Sequence, residues 1–445
     1  MNIVPSIELI PAKYGVGTLL TQVPMDVSGD FSVTRATAVS TRYNSAGLIE
    51  TIASGIPRLD YYTSSGTPGC PALLVEPSAQ NLVFIVTVYS LLNATTGSLV
   101  TSPEGTSNAI TFVESSDAVA TNHQITTNAI PFVSGSVYTF SCFLKAGVLN
   151  RSVRLALPSV PFVGSPLAFF DLSSGTILSS SDCTSSIQNY GNGWYRCVIT
   201  ATSDASGSTT AFINLASGAT RDYVGNGSGS ILAYGSQIET GSVATSYIPT
   251  TTGSVTRDAD VINKTGVSGL IGQTQGTIYA EFRYLGNPIV RAGFVFLRQT
   301  GYRGLSINFA PSDTPSGIVF ISRNNSGTTS IQLTNGLTLG AYYKIAIAYD
   351  AGGTAAGGTQ ASGVTAYVNG SPATVSVGSL RVPDANLNEL RLYGANSGDE
   401  NEVPNGNLRA VAIYKTRLPN YLLESATSQI QSYSALASSL SYTVV

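Results

Sequence analysis

Residues 231–260 read ILAYGSQIETGSVATSYIPTTTGSVTRDAD, and the way this stretch breaks decides how the whole chain is divided. A strand-like run from Ile231 to Ile238 stops at Glu239-Thr240-Gly241. A polar crossing follows, carrying Tyr247-Ile248-Pro249, and Thr256-Arg257-Asp258-Ala259-Asp260 leads into a second strand-rich region. Pro249 has no N–H to give to a β ladder, and the Thr/Gly/Ser run has no apolar face, so pairing is expected to lapse here. The stretch reads as a boundary between two β modules.

The composition agrees with that division. A chain of 445 residues is too long for one ordinary core, so two or three domains are expected. Only 11% of residues are charged, against about 25% in typical soluble domains. Gly, Ser, Thr and Asn take their place, which suits sheets joined by many turns better than helix surfaces. A hydrophobic share of 43%, with 23 tyrosines and 15 phenylalanines, argues against disorder. The net charge of −3 leaves no basic footprint, so nucleic acid is not an expected partner. Met1-Asn2-Ile3-Val4-Pro5 lacks the basic start of a signal peptide, and the longest apolar run, Leu82 to Leu92, is too short to span a bilayer. A soluble protein made in a cytoplasm, without membrane insertion, is expected.

On either side of the crossing the strand signals cluster. Before it, they fall at Ala109–Val113, Val137–Lys145, Val153–Ala156, Leu167–Asp171, Trp194–Ala201, Thr210–Asn214 and Ile231–Ile238. Their spacing suits an antiparallel, jelly-roll-like sandwich over residues 83–248. After it, they fall at Thr277–Phe282, Tyr343–Asp350, Val364–Ser371 and Leu408–Tyr414, with Asn369-Gly370 as a hairpin turn. Leu418-Pro419-Asn420 then enters a short helix, and residues 262–430 form the second sandwich. Ala351–Ser362 is a low-complexity loop. The tail, 431–445, continues a weak helical spacing of Ile430, Tyr433, Leu436 and Leu440. The tail either packs on its own domain or meets another subunit.

Residues 1–82 look different. Seven prolines interrupt any long helix, and only Ser6–Ile10, Phe31–Val33 and Leu48–Ile52 read as strands. Asn44-Ser45-Ala46-Gly47 is a tight turn. The segment is expected to be an irregular attachment arm that takes its order from a neighbouring molecule.

The residues that could carry chemistry are few. The single histidine, His123, sits in a polar stretch and is expected at the surface; no G-x-S-x-G elbow accompanies it. Glu281, Asp350 and Asp399 are carboxylates of the kind glycoside cleavage needs, but no dense acidic run marks them as a pair. Asp399-Glu400-Asn401-Glu402 could hold calcium or be a solvated acidic tip. Four widely spaced cysteines make no CxxC pair; they read as reduced thiols, with Cys183–Cys197 the one plausible bridge. For sugar contact, Trp194 is the obvious platform, yet its alternating strand places it in the core. Tyr190, Tyr223, Tyr302 and Tyr393 sit near expected loops and are the better candidates. No enzyme activity, cofactor or metal is expected, and the sequence names no sugar-binding residue.

The wording of several segments resembles a family of structural proteins of tailed bacteriophages. Residues 35–82 carry, in order, an Arg-Ala-Thr start, an Asn-Ser-x-Gly-Leu-Ile-Glu hairpin, a Pro-Arg-Leu-Asp-Tyr strand and a Leu-Leu-Val-Glu-Pro end. Tyr138-Thr139-Phe140-Ser141, Gly193-Trp194-Tyr195-Arg196 and residues 230–262 look like the same family, whereas 83–135 diverge from it. The resemblance implies a carbohydrate-binding-module-like sandwich over 83–248, a linker over 249–261 and a concanavalin-like, laminin-G-like sandwich over 262–430. It further implies a virion structural protein, assembled in the bacterial cytoplasm. Its expected place is a tail or head fibre or spike that contacts host glycans and binds other virion proteins through the arm, as a trimer by analogy with fibres. A capsid decoration or cement protein, or a tail adaptor, is the alternative.

Overall fold

Buried apolar side chains collect into two large cores, one in each sandwich, with smaller clusters beside them. The computed structural model describes residues 4–84, 90–286, 292–299, 303–310, 317–334, 336, 338–351, 363–373, 380–381, 383, 386–395 and 404–428. The described chain is almost entirely antiparallel β, with one α-helix, Asn420–Ser428.

The first sandwich faces one sheet against another. One sheet runs Ala94–Thr101, Ser107–Glu114, Ser230–Thr240, Val137–Ala146, Trp194–Thr202 and Thr184–Asn189. The other runs Ser90–Leu92, Thr121–Thr126, Phe212–Ala216, Ser152–Ala156, Leu167–Asp171 and Thr176–Ser181. Along Val137–Ala146 the period of two is plain: Tyr138, Phe140, Cys142 and Leu144 enter the core, while Phe143 points out of it. Cys197 is the cross-strand partner of Cys142. All four cysteines are free, so the Cys183–Cys197 bridge is not formed.

The second sandwich is larger because several strands from residues 7–75 join its two sheets. Ile7–Leu9 pair with Val411–Ile413, and Arg58–Asp60 and Ala72–Val75 extend the same sheet beyond Asn405–Tyr414. Phe31–Thr34 pair with Val261–Thr265 in the facing sheet. Ile7, Leu9, Leu19, Phe31, Val33, Leu59, Leu73 and Val75 are all buried in the core that also holds Ile278, Phe282, Ile345, Leu392 and Val411. At roughly 1.5–3 kcal/mol per fully buried large apolar side chain, this is comparable to the whole net stability of a domain. The expectation that the arm takes its order from a neighbouring molecule is therefore corrected. Its strands are short and Pro-interrupted because they complete the sheets of a distant domain, and the apolar faces they pack against lie about 200 to 400 residues further along the chain.

The two local turns behave as their residues dictate. Asn369 and Gly370 both take positive φ, 49° and 82°, in a two-residue loop between paired Val368 and Ser371. Asn44 Oδ1 accepts the N–H groups of Ala46 and Leu48, and Gly47 takes φ 78°. The C-terminal helix buries Leu423 beside Tyr279, Ala346 and Tyr367. Residues 429–445, with Ile430, Tyr433, Leu436 and Leu440, lie outside the described residues, as do residues 352–362 of the low-complexity loop.

At the crossing, Pro249 ends one module, but pairing does not lapse entirely. Val255–Arg257 pair with Ala79–Asn81. Tyr247 packs with Ile49, Ala109, Phe143 and Trp194 in a small third core between the N-terminal segment and the first sandwich.

Candidate functional site

The outward face of Trp194–Thr202 is covered only in part: Arg196 and Val198 are buried, Thr200 is half-buried and Thr202 is exposed. This face forms the floor of a cleft of about 500 Å³ whose other walls come from the N-terminal segment and the second sandwich. Strand register builds this floor. Thr184 lies opposite Thr200, Ser186 opposite Val198 and Gln188 opposite Arg196, so three cross-strand pairs share one face. Hydroxyl and amide groups thereby line a stretch of roughly 13 Å, at about 3.3 Å per residue.

The aromatic wall is contributed by both parts of the chain. Tyr62 and Tyr190 lie 4.8 Å apart between centroids, and Tyr43 meets each edge-on at 5.8 and 5.6 Å. The Tyr43 hydroxyl donates to the Gly66 carbonyl at 2.9 Å, which holds the loop that carries Tyr62. Phe143 packs edge-on against Tyr190 at 4.9 Å, and the Arg196 guanidinium lies 5.2 Å from the Phe143 ring centroid. Burial pushes the Tyr62 and Tyr190 phenols up, so both are neutral donors at physiological pH.

Asp60 is one of two carboxylates that line the cleft, the other being Glu76. Asp60 ends the strand Arg58–Asp60, and its Oδ1 accepts the Tyr43 N–H at 2.9 Å. Burial raises its pKa to about 6, a shift held in check by the Tyr43 N–H and by the nearby charge of Arg283. Arg283 lies on Gln275–Gly286 of the second sandwich, and its Nε and Nη2 both donate to Asn407 Oδ1. A carboxylate, a guanidinium, two tyrosines and a row of hydroxyls thus converge from three regions of sequence.

Beneath the cleft, a buried charge cluster fixes the walls. Arg58 bridges Glu76 and Asp260, Arg35 pairs with Asp260 at 2.9 Å, and Arg257 pairs with Glu76 at 3.1 Å. Glu76 also accepts the Ser246 N–H at 2.7 Å, which ties the crossing to the N-terminal segment. Burial alone would raise the Glu76 carboxyl; Arg257 and Arg58 outweigh it and hold the pKa at about 2.

The residues singled out in the sequence are scattered. Tyr190 lines the cleft. Trp194 is buried beside it, packed in the small core with Phe143 and Tyr247. Tyr393 is fully buried, and Tyr302 lies outside the described residues. Tyr223 sits elsewhere in the first sandwich, donating to Glu114 at 2.6 Å. His123 is corrected from surface to fully buried: it stands in Thr121–Thr126, bonds Asp117 through Nε2 at 2.7 Å and stacks on Tyr223 at 4.4 Å. Its polar neighbours Asn122 and Gln124 alternate to the other face of the strand, so the polar wording of the stretch gives no sign of the buried ring. Glu281 is buried and pairs with Arg409 at 3.3 Å, while Asp350 ends the strand Tyr342–Asp350. Asp399, Glu400, Asn401 and Glu402 lie outside the described residues. Among the described residues no group of three or more His, Cys, Asp or Glu side chains is gathered as a metal site would require.

No local sequence signal marks Asp60, Tyr62 or Arg283 as cleft residues. Pro57-Arg58-Leu59-Asp60-Tyr61 read only as a strand, and nothing local shows that its Asp faces a cleft.

Residues 267–420 match a laminin-G-type model described as the concanavalin A-like lectin/glucanases superfamily. No curated protein matches the sequence. Among solved structures, the CBM40 module of a Ruminococcus gnavus IT-sialidase is 13% identical, with a TM-score of 0.29, over 36% of this chain and 85% of that one. Domain 4 of an extracellular arabinanase from Geobacillus stearothermophilus, solved with arabinotriose, is 15% identical, with a TM-score of 0.30, over 42% and 82%. A carbohydrate esterase of the Shiga toxin-encoding bacteriophage phi24B is 13% identical, with a TM-score of 0.23, over 35% and 75%. No residue role is carried over from any of them.

Proposed function

We propose that this protein is a non-enzymatic structural protein of a tailed-phage virion, a surface fibre or spike on tail or head, whose inter-sandwich cleft contacts host-surface glycans. The cleft is the observation that carries the reading. Sugars offer apolar ring faces and many hydroxyls, and Tyr62 and Tyr190 beside Asp60 and the Thr184–Gln188 row match both. The phage assignment is supported by the wording of residues 35–82 and 230–262. A fibre needs only weak single contacts, since several copies on one particle raise avidity; a trimer follows by analogy with fibres.

The purified full chain, tested on a glycan panel and on host cells, is expected to bind sugar and to lose that binding in Tyr190→Ala. Release of reducing sugar from host polysaccharide would instead show a depolymerase.

A capsid decoration or adaptor role is the second reading, and one feature favours it. Val16, Met25 and Val27 on the N-terminal segment are 83%, 89% and 67% exposed, apolar groups that a neighbouring virion protein would cover. Binding to capsid shells without binding to glycans would select this role.

A further inference from the structure

We infer that the inter-sandwich cleft selects uncharged, hydroxyl-rich oligosaccharides over acidic ones, with Asp60 accepting hydrogen bonds that their hydroxyls donate. This rests on the glycan reading above and narrows it to a substrate class.

The polar groups of the cleft are not equally open to a ligand. Arg196 donates to the Thr245 carbonyl at 2.7 Å and to Ser141 Oγ at 3.0 Å. Arg42 is turned to Glu50 at 3.1 Å. The Nε–Nη2 edge of Arg283, the geometry that grips a carboxylate side-on, is taken by Asn407. Glu76 is enclosed by Arg58, Arg257 and Ser246. Asp60 differs from all of these. Its partners are the backbone N–H groups of Tyr43 and Tyr62, two donors for a carboxylate that offers about four acceptor sites.

The remaining acceptor capacity faces a cleft already lined by hydroxyl groups of Thr184, Ser186 and Thr200. A sugar hydroxyl donates readily to a carboxylate. An anionic sugar would instead bring a second negative charge close to Asp60, whose own buried charge is offset by the Tyr43 N–H, by Arg283 and by the Tyr62 N–H. The floor of three cross-strand pairs is longer than one sugar ring, so the ligand is an oligosaccharide.

The same carboxylate makes capture sensitive to acid. Burial lifts Asp60 to about 6, against Tyr43 and Tyr62 N–H groups and Arg283, which lower it; Glu76 adds to the rise. Protonation turns part of the acceptor into a donor, so hydroxyl capture weakens as pH falls through that value.

The test uses the full chain, calorimetric titration and two probe sets: neutral oligosaccharides of the host surface, and the same oligosaccharides oxidised to uronic acids. At pH 7.5 the neutral set is expected to bind at least tenfold more tightly, and to weaken about tenfold at pH 5. Asp60→Asn is expected to bind weakly at both pH values while keeping wild-type circular dichroism. Preference for the uronic acids, or full binding by Asp60→Asn, would overturn the selection and leave glycan binding standing. Failure of the wild type to bind either set would overturn the glycan reading itself, and this inference with it.

Discussion

Arg58 and Asp260 lie 202 residues apart in the chain and meet as an ion pair closed off from solvent. Arg58 comes from the N-terminal segment, and Asp260 closes the crossing that enters the second sandwich. With Glu76, Arg35 and Arg257 they lock the segment, the crossing and the C-terminal sheets together directly under the cleft. The position of Asp60, two residues beyond Arg58, depends on that lock.

Breaking the lock should be costly. Glu76→Gln leaves Arg58 and Arg257 buried with one anion fewer, and a loss of about 3–5 kcal/mol is expected from removing one partner of a buried pair. Chemical denaturation at pH 7 measures it. A change below 1 kcal/mol would mean that the cluster does not brace the fold.

The same residue predicts acid sensitivity. Glu76 has a native pKa of about 2 against an ordinary 4.5. The unfolded state therefore takes up the proton first as pH falls, and the stability that Glu76 contributes above pH 4.5 is lost between about 4.5 and 2. The difference is on the order of 3 kcal/mol. Wild type should lose this stability on acidification, and Glu76→Gln should show a shallower decline over that window.

Asp60 has the opposite sign. Its native pKa of about 6 lies above the ordinary 3.8. The native state holds the proton more tightly, so the contribution of Asp60 is fully favourable below pH 4 and is lost as pH rises through 6. Asp60→Asn keeps an oxygen for the Tyr43 N–H and removes the buried charge. It should gain about 2–3 kcal/mol over wild type at pH 7.5 and almost nothing at pH 3.5. Equal stability at both pH values would refute the burial of that charge.

Deleting residues 1–82 tests the corrected role of the N-terminal segment. Eight of its side chains fill the second core, so the truncated chain should aggregate or lose its cooperative C-terminal transition. A truncated protein that melts like wild type would restore the picture of an arm ordered by partners.

The sequence announced some of this plainly. Val137–Lys145 and Trp194–Thr200 read as strands from their own alternation and are strands, and Asn369-Gly370 fixes a hairpin by backbone sterics alone. Thr176–Ser181 and Thr184–Asn189 were invisible because they are edge strands with few apolar residues; their pairing comes from Leu167–Asp171 and Trp194–Thr202. The cleft was mostly hidden for a related reason. Tyr190 was picked out by its loop, but Asp60, Tyr62 and Arg283 acquire their roles only when sheets from opposite ends of the chain close over them. Local pattern carries no record of such meetings.

A crystal structure of the full chain with a neutral host-surface oligosaccharide would test the central claim most directly. The account predicts sugar density between the Thr184–Gln188 strand and the Tyr62–Tyr190 wall, with a hydroxyl within hydrogen-bond distance of Asp60. Sugar bound on the outer face of either sandwich, with the cleft unoccupied, would contradict it.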